Sequence, residues 1–161
     1  MKKMRRNAGF TLVEMLIVVA IIAILIAVSI PLVSNSLEKA RVATDQANER
    51  SAKAAMNILY LTDDLTGNAT ISTTPTQIDG KDYYCMAWYN AETGELQPGN
   101  TGIKPYGKCQ TVHTIGTGTS TVTVPAHENA RIQVYLDTDS GETVVKWNDG
   151  TNRLQAHGFY D

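Results

Sequence analysis

Between Phe10 and Ile30 the chain reads FTLVEMLIVVAIIAILIAVSI, a run with one charged side chain, Glu14. As a helix this run would be roughly 31 Å long, at about 1.5 Å per residue, enough to cross a bilayer's hydrocarbon core. The nine residues before it carry Lys2, Lys3, Arg5 and Arg6 and no acid. Positive charge tends to stay on the cytoplasmic side, so the expected orientation is amino terminus inside and everything after Pro31 outside. A secretory signal peptide has an apolar region of about 7–15 residues before its cleavage site; here the apolar character continues through Ile30, Leu32 and Val33. A plain membrane anchor fits the length but leaves Glu14 unexplained, because a carboxylate in hydrocarbon costs about 2.5–3.5 kcal/mol on insertion scales. A place near the interface, or at a helix start where free N–H groups carry partial positive charge, would soften that cost. Otherwise Glu14 needs a cation at the same depth on another subunit.

The run GFTLVE from Gly9 to Glu14, with the apolar stretch and Pro31 behind it, resembles the amino-terminal signature of type IV pilins, the superfamily of pilins and pseudopilins with class III signal peptides. The resemblance implies a cut between Gly9 and Phe10 by a prepilin peptidase, which also methylates the new amine on Phe10. It implies that Glu14, fifth in the processed chain, pairs with the terminal amine of a neighbouring subunit, and that Pro31 marks a kink or curve in the helix. The partners implied are further copies in a helical filament, the prepilin peptidase, an assembly platform protein and an assembly ATPase. The implied locations are the membrane before assembly and a cell-surface filament after it. Neither a cofactor nor a catalytic site is implied. Electrostatics agrees with this logic: in low dielectric the new amine and a carboxylate attract strongly, and a wrongly seated subunit strands a charge.

Helical periodicity resumes after Pro31. Leu37, Ala40, Thr44, Ala47, Ser51, Ala55, Ile58 and Leu59 recur at three- and four-residue steps, and Glu38, Lys39, Arg41, Asp45, Glu49, Arg50 and Lys53 take the other side. The small-residue side is expected to pack on a sheet and the charged side to face water. From Phe10 to about Leu61 such a helix would be roughly 78 Å long if straight. Thr66–Thr76 reads as the loop leaving it. Strands are expected at Asp82–Tyr89, Thr119–Val124, Ala130–Leu136 (Ile132, Val134 and Leu136 inward; Arg131, Gln133 and Tyr135 outward) and Thr143–Trp147. Glu95–Lys108 and Thr114–Ser120 read as loops. The fold class is therefore α+β: a long amino-terminal helix, half transmembrane and half amphipathic, packed on a small antiparallel sheet, as in the type IV pilin fold. The segments are a cleaved leader at 1–9, an assembly helix at 10–30, its amphipathic continuation at 31–61 and a β-rich head at 62–161.

The formal net charge of the whole chain is −2; subtracting the four leader cations gives about −6, which offers nucleic acid no long-range attraction. Arg131, Lys146 and Arg153 are thin material for a basic patch. The two cysteines, Cys85 and Cys109, and the histidines, His113, His127 and His157, lack zinc-site spacing. With the head outside the cytoplasm, a Cys85–Cys109 disulfide is expected, worth about 3 kcal/mol for its loop length; the alternative is two buried thiols. Asp137, Asp139 and Glu142 on one turn do not match an EF-hand calcium loop. The sequon Asn68-Ala-Thr70 reads as coincidence. A structural filament subunit is the expected function, with a type II secretion pseudopilin or a minor pilin as alternatives. From another class, a membrane-anchored module that binds a ligand remains open.

Overall fold

The structure, a computed structural model, describes residues 10–117 and 120–150. It divides into two compact units between Leu37 and Glu38. The described part of the first is the beginning of α1 (Leu12–Leu61), and every large apolar side chain from Phe10 to Val33 that it holds is exposed. The helix continues through Pro31 without a break. Hydroxyls bond back along this stretch: Ser29 to the Leu25 carbonyl (2.7 Å), Ser34 to Ile30 (3.0 Å) and Ser36 to Leu32 (3.1 Å). Such i−4 bonds hide polar hydroxyls on a helix with no other use for them.

The second unit contains the rest of α1 and seven strands: β1 (Thr70–Ile78), β2 (Lys81–Asn90), β3 (Glu95–Gln97), β4 (His113–Thr117), β5 (Ser120–Val124), β6 (Arg131–Leu136) and β7 (Thr143–Asn148). The main sheet runs β1-β2-β6-β7, all antiparallel, with β3 pairing the far end of β2; β4 and β5 form a separate hairpin. Asp79-Gly80 closes the β1–β2 hairpin with both residues at positive φ (49° and 79°), the geometry of a two-residue primed turn. The inner face packs Cys85, Ala87, Ile132, Val134, Leu136, Val145 and Trp147 with Ala52 and Met56 of α1. Fold class and the four expected strands are therefore present, with Thr119 outside the described residues.

Three strands lie where loops were expected. β1 occupies most of Thr66–Thr76, β3 opens Glu95–Lys108, and β4 covers much of Thr114–Ser120. Threonine-rich, apolar-poor edge segments carry little burial signal, and cross-strand pairing alone places them. β6 also departs from the alternation expected of it: Gln133 and Tyr135 are buried, because β6 lies between β2 and β7 and Tyr135 packs with Ile78 and Tyr83 on the other face.

The largest correction concerns the face of α1 that meets the sheet. Asp45, Glu49, Ala52 and Met56 are buried, while Ala40, Thr44, Ala47, Ser51 and Ile58 are exposed. Of the side expected to pack, Ala55 and Leu59 do lie against the core, but Ala52, Met56 and helix acids hold the head. Glu38 Oε1 accepts from the Gln110 N–H (2.9 Å) and from the N–H and hydroxyl of Thr111 (both 3.0 Å), and Oε2 is 3.2 Å from Arg41. One helical stretch on, Asp45 accepts from the N–H groups of Lys108 (2.9 Å) and Cys109 (2.8 Å) and lies 3.0 Å from His127 Nε2. Glu49 takes the indole N–H of Trp147 at 2.5 Å, and Lys53 adds positive charge nearby. The ring of His127 rests against Trp147, centroids 4.6 Å apart. A buried carboxylate is tolerable when its lone pairs are filled this way.

Close packing constrains two glycines. A methyl group on Gly107 would lie 1.9 Å from the His127 carbonyl oxygen, and one on Gly141, at φ +77°, would lie 2.9 Å from the Tyr60 ring. Gly107→Ala is expected to cost about 1–3 kcal/mol, the range for overpacking. Gly99→Ala, with open space around it, should stay within about 0.5 kcal/mol. Thermal melts of the full chain in detergent, followed by near-ultraviolet circular dichroism of Trp88 and Trp147, check both.

The same measurement tests Glu38 against pH. Burial raises its carboxyl, but the bonds from Thr111, Gln110 and Arg41 outweigh this and hold it at about 2, against an ordinary 4.5. A depressed folded value means stability fully present above about pH 4.5 and lost as the pH falls toward 2. Glu38→Gln should cost about 1–2 kcal/mol at pH 7 and flatten the acid limb of the stability profile. An unchanged acid limb would show that Glu38 does not link head to helix.

Candidate processing and assembly site

The start of α1 is built by its own first residues. Thr11 precedes the helix, and its hydroxyl accepts from the Glu14 N–H at 3.3 Å. Glu14 answers: its Oε2 accepts from the Thr11 N–H at 2.7 Å and from the Thr11 hydroxyl at 2.8 Å. This reciprocal arrangement is a capping box, and it fills amide groups that a helix start would otherwise leave open. Thr11 is a functional residue beyond those expected, and the spacing Thr-x-x-Glu before an apolar run is its readable signature. Glu14 Oε1 has no hydrogen-bond partner among the described residues.

Phe10 lies just before the helix and is 80% exposed. Gly9, the other side of the expected cut, lies outside the described residues. Phe10, Thr11 and Glu14 thus share one helix start, followed directly by the exposed apolar stretch.

A family profile described as the prokaryotic N-terminal methylation motif matches residues 4–30. The chain carries the class III signal peptide of type IV pilins and pseudopilins. This motif and the long apolar helix fit a membrane-anchored, pilin-like or pseudopilin protein, and the motif points to structural proteins rather than enzymes. No curated protein and no solved structure matches the chain.

The other expected residues lie apart from the pilin signal. Pro31 is inside continuous helix. The structure does not join Cys85 to Cys109 in the expected disulfide: both are buried thiols. Cys85 pairs opposite Leu136, at one end of β6, whereas the Cys109 carbonyl accepts from His127 N–H, before the strand begins at Arg131. The length of β6 alone is about 16 Å, and a disulfide needs Cα atoms within about 7 Å. Burial raises both thiols, Cys109 to about 11 with Glu38 and Asp45 adding to the effect, so neither is a ready nucleophile. No exposed basic patch arises from Arg131 and Lys146 either. Arg131 is half-buried on the Ile103 carbonyl (2.8 Å), Lys146 is buried over the Tyr135 ring, and Arg153 is outside the described residues.

The capping box makes its own forecast. Thr11→Ala removes the hydroxyl and should weaken the helix start by about 1 kcal/mol. Amide exchange of residues 12–15 in the detergent-solubilised chain should speed up several-fold, with exchange beyond Ser29 unchanged. Equal protection in the variant would show that the box does not hold the helix start.

Proposed function

We propose that this chain is stored in the membrane and polymerises into an extracellular filament of the type IV pilus kind. Processing by a prepilin peptidase would free the amine of Phe10, which is then methylated, and Glu14 of an adjoining copy would receive it. The observation that carries this reading is the methylation motif at residues 4–30, with Phe10 and Glu14 placed together at the helix start. Glu14 Oε1, which has no hydrogen-bond partner among the described residues, supports it, for Oε2 serves the cap.

The inverted face of α1 supports the same reading. With the acids turned to the sheet, Ala40, Ala43, Ala47, Ser51, Ala54 and Ile58 are exposed along one side of the helix. Their spacing keeps them on one face, and none is charged. Small side chains let helix backbones approach closely, so this side suits contact with other copies. A pseudopilus subunit is the second reading, because the same signal serves both assemblies. The peptidase, a platform protein and an ATPase are the partners such a route requires.

Glu14→Val is expected to leave a chain that is cut before Phe10 and inserted in the membrane, yet yields few filaments in sheared surface fractions. Immunoblots of membrane and sheared fractions, with amino-terminal sequencing, measure both steps. Filaments at wild-type yield from the valine variant would refute the role given to Glu14. A native chain starting anywhere but Phe10 would refute the processing site.

A further inference from the structure

His127 stands in the loop before β6, where that loop meets α1, and it is buried together with Asp45. Each ring nitrogen faces an oxygen: Nδ1 lies 3.0 Å from the Pro125 carbonyl and Nε2 lies 3.0 Å from Asp45 Oδ2. A carbonyl oxygen only accepts, and so does a carboxylate, while a neutral imidazole has a single N–H. Either neutral tautomer therefore sets a nitrogen lone pair against an oxygen at 3.0 Å, where water is scarce. Moving the missing proton to Asp45 answers this less well. Its oxygens already face the Lys108 N–H (3.1 and 2.9 Å) and the Cys109 N–H (2.8 Å), and all three contacts use them as acceptors, the role of the ionised form.

The surroundings suit a cation on the ring. α1 faces it with Asp45 and, across the Trp147 indole, with Glu49, whose charge lies near that of Lys53. The segment opposite brings Lys108 and Cys109, the latter's thiol pushed up to about 11 by burial and so uncharged. β7 brings Trp147 and, just beyond it, Asp149, while the loop itself brings Glu128. Glu128 and Asp149 line a small cavity of about 50 Å³ beside the ring. That is room enough for a water, through which the ring can exchange a proton.

We propose that Asp45 and His127 form a proton-dependent latch between α1 and the head. The ring carries two protons, one directed to Pro125 and the other to Asp45, so a buried ion pair closes the joint. Loss of one proton leaves two electron-rich atoms in contact, and the joint loosens. The strain falls on the segment that holds the helix: His127 N–H donates to the Cys109 carbonyl and Asn129 N–H to Gly107, beside the amides that grip Asp45. A histidine in an unfolded chain gives up its proton at about pH 6.5. A folded state that favours the doubly protonated ring is fully supported below that pH and loses the support as the pH rises. Glu38 fails on the acid side and this pair on the alkaline side, which confines a firm joint to a window between them. Both groups lie in the second unit, so the inference stands whether or not the chain polymerises.

The test follows the full chain in detergent from about pH 6 to about pH 9, the range in which a histidine proton is lost. The melting midpoint, read from near-ultraviolet circular dichroism of the tryptophans, is expected to fall by several degrees across that range. His127→Gln keeps a donor for Asp45 but has no proton to lose, and its midpoint should hold steady. His113 and His157 remain in that variant, so the difference between the two profiles belongs to His127. Ring-nitrogen magnetic resonance of the wild-type chain reads the protons directly, and it decides alone if the glutamine variant does not fold. Both nitrogens of His127 should carry protons at about pH 7, where an isolated histidine has mostly lost one. A singly protonated ring at that pH, a flat wild-type profile, or an equal fall in the glutamine variant would overturn the proposal.

Discussion

Glu38, Asp45 and Glu49 decide how the helix meets its sheet. Asp45 and Glu49 place carboxylates where water is scarce, Glu38 is half-buried, and each is answered by donors the head supplies: backbone N–H groups of residues 108–111 and the indole of Trp147. Removing a donor from Asp45 or Glu49 would leave a buried charge uncompensated, so rotating the helix about its axis is costly at both, and it breaks the Glu38 bonds as well. Apolar contacts of Ala52 and Met56 would tolerate such a rotation more readily, since hydrophobic burial is non-directional. The carboxylates therefore fix orientation, and the apolar residues supply bulk. A consequence follows for the opposite side of α1: with Asp45 and Glu49 turned to the sheet, the uncharged small residues opposite them are exposed.

That inversion marks the limit of what the sequence discloses. Two stripes run along the second half of α1 at helical spacing, one charged and one small, and periodicity alone does not say which faces inward. General hydrophobicity favours turning charge to water, and here that preference loses to satisfied hydrogen bonds. Val42, Ala52 and Met56 share the acidic side and were the available hint. β2, β6 and β7 were readable because aromatic and branched residues recur along them. β1 and β3 carry too little burial to be read without their partner β2, although Asp79-Gly80 announces the hairpin that joins β1 to it. The amino-terminal site was the most legible part, since leader charge, glycine, phenylalanine and glutamate lie within one short segment.

The two thiols illustrate a different failure. Cysteine count and the expectation of a head outside the cytoplasm argue for a bridge, but that argument contains no geometry. Pairing of Cys85 with Leu136 and of Cys109 with the loop before β6 sets the thiols at opposite ends of a strand. The head is held by other means: a core centred on Trp147, the helix carboxylates, and the close passage of Gly107 beneath the His127 carbonyl. Raised by burial, both thiols remain protonated and slow to oxidise.

The capping box changes how the membrane cost of Glu14 is assigned. A lone carboxylate in hydrocarbon would demand an external cation at all times, and a stored subunit has no guaranteed neighbour. Thr11 supplies two donors to Oε2 from within the same turn, which lowers the cost of waiting. Neither Thr11 donor carries charge, so the carboxylate is solvated but not neutralised. On the proposed reading, a neighbour's amine at Oε1 adds the neutralisation that the cap lacks, and it does so without dismantling the helix start. The difference between the capped and the capped-and-paired states is then the driving term that assembly gains at this position. It is largest where water is absent and one copy is seated in register with the next.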